Sequence, residues 1–120
     1  MSVRQSSWAR IDLIRVFRDV LAREHGKRTV RSSDFVRFPG DEGGQEWPMW
    51  LVLEIQAAHE EVTRRRAMLG EGPVSIARVR EVEQRAAGHA DYELQFACRL
   101  ADLVLTEHQG GLDASETGQS

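Results

Sequence analysis

ADYELQFACRLADLVLTE, residues 90–107, is the stretch that decides the fold. Tyr92, Leu94, Phe96, Ala97, Cys98, Leu100, Ala101, Leu103, Val104 and Leu105 would cover most of a helix circumference. A helix that is apolar nearly all round belongs in an interior. This stretch is therefore the predicted central element, and the rest of the chain must supply the helices that pack around it.

Upstream of it, Ser75 is placed to cap a helix carrying Ile76, Val79, Val82 and Ala86 on one face, with Val74 as a hydrophobic staple to Val79. Gly88 either breaks the chain there or is tolerated inside one rod from Ser75 to His108; the pattern alone fits both. A further helix begins near Trp47, with Pro48 in its first turn, where a missing N–H costs nothing. Leu51, Ile55, Ala58, Val62 and Leu69 then form a heptad-like seam. Arg64, Arg65 and Arg66 fall near its C-terminal end, where cations complement the dipole. Gly70 and Gly72-Pro73 close it.

The N-terminal helix runs from about Ser7 to His25, capped by Ser6 or Ser7 and ended by Gly26. Ile11, Leu13, Ile14, Phe17, Val20 and Leu21 share one broad face, with Trp8 one turn earlier. Between the first two helices, residues 32–38 read equally as a short turn or a brief strand, with Phe35, Val36 and Phe38 as anchors. Residues 39–44, PGDEGG, are a loop on any reading.

The expected fold is all-α: a compact bundle of three or four helices at about 7–25, 47–69, 75–87 and 89–108. Residues 1–108 form one domain. Residues 109–120, glycine-rich and polar, are expected to be a disordered tail. The longest apolar run, Met49 to Leu53, is far too short to span a bilayer, so no membrane partner is expected. The polar N-terminus has no signal-peptide core. Cys98 is the only cysteine, which rules out an intrachain disulfide and fits a reducing cytoplasm. Fifteen arginines against one lysine suggest a GC-rich genome, of a bacterium or a phage.

No motif specifies catalysis. A di-iron bundle needs Glu three residues before each His, but Ala22, Gln56, Ala86 and Leu105 precede His25, His59, His89 and His108. His59-Glu60 is followed by Thr63, so the zincin pattern fails. Cys98, between Phe96 and Leu100, reads as a buried structural thiol. The glycine loop carries Asp41 and Glu42, which repel phosphate, and lacks the Gly-Lys-Ser/Thr ending. Glu60-Glu61 and Glu81/Glu83 read as solvated surface charge. No metal, no cofactor and no catalytic residue are expected.

Charge gives the functional pointer. Residues 1–37 hold nine basic against four acidic side chains, net +5; the remainder holds seven against fifteen, net −8. Some of the basic side of the first helix is expected to pair with the acidic remainder, leaving the connector available. The expected partner-binding residues are Lys27, Arg28, Arg31, Arg37, Asp41, Glu42 and Trp47, tryptophan being enriched at binding hot spots. The chain reads as a small soluble helical protein that binds another protein, as an adaptor, regulator or inhibitor. A homodimer through the Leu51, Ile55, Val62, Leu69 face is a further expectation. The alternative is a nucleic-acid accessory protein using Arg15, Arg18, Arg28 and Arg31. A helix-turn-helix over 75–105 is disfavoured, because its second helix would bring Asp91 and Glu93 to the phosphates.

Overall fold

The computed structural model describes residues 2–27, 34–38 and 43–105, with side chains described from Ala9 onward. Within them the chain forms α1 (Ser2–Gly26), β1 (Phe35–Val36), β2 (Trp47–Pro48), α2 (Met49–Met68), α3 (Ile76–Ala86) and α4 (Tyr92–Leu105). The all-α bundle expected from the sequence is what the protein adopts, with a two-residue ribbon added. Arg28, Arg31, Asp41, Glu42, His108 and the tail 109–120 lie outside the described residues.

Gly88 separates α3 from α4. Its φ of +94° is a conformation that side chains with a Cβ strongly disfavour. The chain turns there, so the described part of 75–108 is two helices. α4 starts at Tyr92, three residues later than expected, because residues 89–91 complete that turn. Ser75 caps α3 as read, its Oγ accepting the Arg78 N–H at 3.2 Å. α1 begins at Ser2 rather than near Ser7, since no glycine or proline interrupts the chain before Gly26.

α2 begins at Met49, not Trp47. Pro48 is its N-cap, with extended φ −56° and ψ 136°, and is not part of the first helical turn. The reason is long-range pairing. Trp47 and Pro48 lie antiparallel to Val36 and Phe35, and the Met49 N–H donates to the Asp34 carbonyl at 2.9 Å. The two readings of 32–38 are thus settled for Phe35–Val36 in favour of a strand.

α2 and α4 touch each other and both remaining helices, and α1 and α3 flank that pair. One core joins Leu13, Phe17 and Leu21 of α1, Ile55, Ala58 and Val62 of α2, Val79 and Ala86 of α3, and Phe96, Leu100 and Val104 of α4. α4 is central as expected but not enclosed all round: Leu94, Cys98, Asp102 and Leu105 are half-buried. Arg10 of α1 reaches that outer side, pairing with Asp102 at 2.7 Å.

Leu51, Ile55 and Val62 of the predicted seam are buried in this core, and only Leu69 is exposed. The seam is the interior of one protomer. A homodimer through those three residues would have to open the core.

Candidate functional site

Two places collect chemistry. The first is the ribbon at the foot of α2. Phe38 is buried and meets the Trp47 ring edge-on, 6.1 Å between centroids. The Arg80 guanidinium, from α3, lies 4.6 Å from the Phe38 centroid and 5.3 Å from that of Trp47. A cation over two aromatic faces adds electrostatic attraction to their packing, so α3 holds the ribbon down. Arg37 reaches the segment that leads into β2. Its Nε donates to the Gly44 carbonyl at 3.0 Å and its Nη1 stands 3.8 Å from Glu46. Phe35, on the same ribbon, is 60% exposed.

Of the expected partner-binding residues, the structure brings Arg37 and Trp47 together on this ribbon. Trp47 is half-buried against the core rather than an open anchor, and its Nε1 is buried without a hydrogen-bond partner. Lys27 closes α1: its ammonium pairs with Glu24 at 3.4 Å and its N–H donates to the Glu24 carbonyl. The described cations of the expected patch thus already have partners inside the molecule. Phe35, which the sequence reading used only as an anchor, is the exposed group.

The second place is a polar junction to which every helix contributes. The Tyr92 hydroxyl of α4 lies 2.9 Å from Glu54 Oε2 of α2 and 3.0 Å from Glu83 Oε2 of α3. A hydroxyl carries one proton, so the two carboxylates share it. His25, near the end of α1, stacks beside Tyr92 with centroids 6.3 Å apart. Its Nδ1 is 3.1 Å from Glu93, and its Nε2 is 3.2 Å from Glu54 Oε1 but misaligned for a hydrogen bond. Glu54 is fully buried, Glu83 is buried, and His25 and Glu93 form the solvent-facing mouth. Burial, then the charges and hydrogen bonds of Glu54 and Glu83, push the Tyr92 pKa well above its ordinary value.

Two carboxylates read as surface charge are therefore interior groups: Glu83 at the junction, and Glu61 farther along α2. Burial acts to raise the Glu61 pKa, but the hydrogen bonds and charges of Arg65 and Arg64 outweigh it. They hold the carboxyl below its usual range. The Arg65 Nε donates to it at 2.7 Å, and Arg64 closes the other side. Arg66, the third of the run, is buried and does more than complement its own helix. It donates through Nη1 to the Leu103 carbonyl at 2.8 Å and through Nε to the Gly72 carbonyl at 2.5 Å. It thereby caps the last turn of α4 from α2.

The sequence reading missed Glu54, though a signal existed. Glu54 stands three residues after Leu51 and four before Ala58, on the seam side; Glu83 likewise lies between Val79 and Ala86. A carboxylate at an interior spacing signals a buried polar network. His59 is structural: a carbonyl only accepts, so its Nε2–H donates to Val74 O at 2.7 Å and pins the α2–α3 loop. Cys98 is half-buried rather than enclosed, beside Arg10 on the outer side of α4. Among the described residues, no group of three or more His, Cys, Asp or Glu is arranged to hold a metal ion. No described helix is long and apolar enough to cross a membrane.

No protein-family model, curated protein or solved structure matches this chain.

Proposed function

We propose that this protein acts by binding another protein, with the β1–β2 ribbon as its docking edge. The observation that carries the reading is Phe35. It is a large aromatic left 60% exposed on a ribbon whose neighbouring rings are held under Arg80. Presenting an aromatic side chain on a backbone that is already ordered lowers the entropy cost of association. The role is that of an adaptor, regulator or inhibitor in the reducing cytoplasm of a bacterium or its phage. Arg37 and Glu46, paired beside the ribbon, supply the polar rim.

A non-catalytic role goes with this reading. It is supported by the polar junction, where the Tyr92 hydroxyl is taken up between Glu54 and Glu83 inside the bundle.

The test is affinity capture from the source cell with wild-type protein and Phe35→Ser in parallel. Exposure of Phe35 predicts that the variant keeps its helicity and melting temperature. It should lose a partner that the wild type recovers in stoichiometric amount. Equal recovery by both proteins would sink the ribbon as the docking edge.

A nucleic-acid role has one observation in its favour. Arg15, Arg18 and Arg23 are exposed on α1 and take part in no ion pair among the described residues. Asp12 and Asp19 interleave with them and weaken the field, so this reading stands second. A gel shift that is absent at low salt in the wild type would remove it.

A further inference from the structure

The two edges of the β1–β2 ribbon are not equivalent. Phe35 stands opposite Pro48 and Val36 opposite Trp47. Proline has no N–H, so Phe35 and Pro48 cannot exchange hydrogen bonds and form a non-hydrogen-bonded pair. The bond from the Met49 N–H to the Asp34 carbonyl, at 2.9 Å, belongs to that same register. In such a pair the main-chain groups point away from the ladder. The Phe35 N–H and C=O therefore face the open side of β1, and neither makes a main-chain hydrogen bond among the described residues. On the other edge Pro48 offers a carbonyl but no donor, and the chain passes at once into α2.

We propose that the ribbon binds by strand addition: an extended segment of the partner protein pairs with the open edge of β1 through the main chain of Phe35. The inference rests on the ribbon as the docking edge and names what docks there. A sheet edge with unpaired N–H and C=O groups is a template for another strand. A helix spends its main-chain groups within itself, so an extended segment is the occupant that can meet both groups of Phe35.

Alternation along β1 sets the side chains that segment carries. Phe35 and Arg37 are exposed, Val36 is half-buried and Phe38 is buried. Phe35 and Arg37 thus share the outer face. An apolar residue of the incoming strand lies beside the Phe35 ring, and an acidic residue two positions away lies beside Arg37. The charge there is complementary. Arg37, with its side chain 49% exposed, meets Glu46 of the β2 side only at 3.8 Å. A guanidinium has five N–H donors, so a carboxylate arriving from the other side adds to that pair without displacing it.

The probe is a phage-displayed library of random linear peptides selected on the full chain. Recovered peptides should carry an apolar residue with an acidic one two positions away, and should not bind Phe35→Ser. In nitrogen-15 spectra of the full chain, the Phe35 amide should exchange freely with solvent alone and become protected when peptide is bound. Methylating the peptide nitrogens one at a time should weaken binding about tenfold at alternate positions and little between them. A Phe35 amide that stays unprotected in a complex abolished by Phe35→Ser overturns strand addition and leaves the ribbon as the docking edge. Peptides indifferent to Phe35→Ser remove both readings. Strand addition by a partner is overturned equally if no peptide is recovered or if the methylation losses lack a period of two. Protection of the Phe35 amide that grows with protein concentration alone overturns it as well, since it places a second copy on the edge.

Discussion

The Tyr92 hydroxyl stands 2.9 Å from Glu54, a carboxylate with no solvent exposure, and 3.0 Å from Glu83 on another helix. A single donor from α4 therefore ties α2 to α3 inside the bundle. An interior carboxylate that loses a donor bears more of its desolvation cost.

Tyr92→Phe removes that donor and leaves the ring. The expected loss is about 1–3 kcal/mol of unfolding free energy, measured by urea denaturation with an unchanged slope. A loss within error of zero would show that the hydroxyl does not hold the junction together.

The same residue gives an alkaline signature. A raised folded-state pKa means that the neutral phenol stabilises the fold. This contribution is complete below the unfolded tyrosine value of about 10 and declines as pH rises above it. Tyr92 is the only tyrosine in the chain, so ultraviolet tyrosinate absorbance reports it alone. The absorbance should stay absent above pH ~10 and appear together with loss of helix. A simple titration near pH ~10 in the folded protein would contradict the burial.

Glu61 works in the opposite direction. Its folded pKa lies below its ordinary value because Arg65 and Arg64 together outweigh burial. Its contribution is therefore present above the unfolded carboxylate value of about 4.3 and is lost as pH falls through the folded one. Glu61→Gln should flatten the stability profile in that acidic window while lowering stability at neutral pH. Parallel wild-type and variant profiles from neutral to acid would count against the clamp.

Arg66 caps α4 from α2, so its removal should act at a distance. Arg66→Met is expected to cost about 1.5–3 kcal/mol, the range for hydrogen bonds to a charged group. Amide exchange should accelerate in the last turn of α4 more than in α3. Uniform acceleration across all four helices would mean that the side chain serves the bundle generally and not that helix end.

Much of the bundle was legible because its signals are local. Ser75 caps α3, and Leu51, Ile55, Ala58 and Val62 repeat at helical spacing; whether Gly88 breaks the chain was open in the pattern and is decided by its positive φ. The ribbon was only half legible. Two residues cannot show a period of two, and Phe35–Val36 becomes a strand only because Trp47 and Pro48 come back to pair with it. Trp47 was visible as a landmark, but its ring is held by Arg80, some thirty residues on, a contact no local pattern records. The polar junction stayed hidden because charged residues are ordinarily assigned to surfaces. Glu54, Glu61 and Glu83 all occupy interior spacings; Glu54 and Glu83 meet Tyr92 only because the fold brings it near, whereas Glu61 is held by Arg64 and Arg65 of its own helix. The seam of α2 was found correctly as an apolar face; the fold buries most of it within one protomer.

The most direct measurement of the proposed binding role is site-specific photo-crosslinking in the source cell. A photoreactive residue at position 35 is compared with one at Glu60, an exposed position on α2. Position 35 should trap one polypeptide in high yield, and position 60 should trap little. No adduct at position 35, or the same diffuse set at both positions, would contradict the ribbon as the surface through which this protein acts.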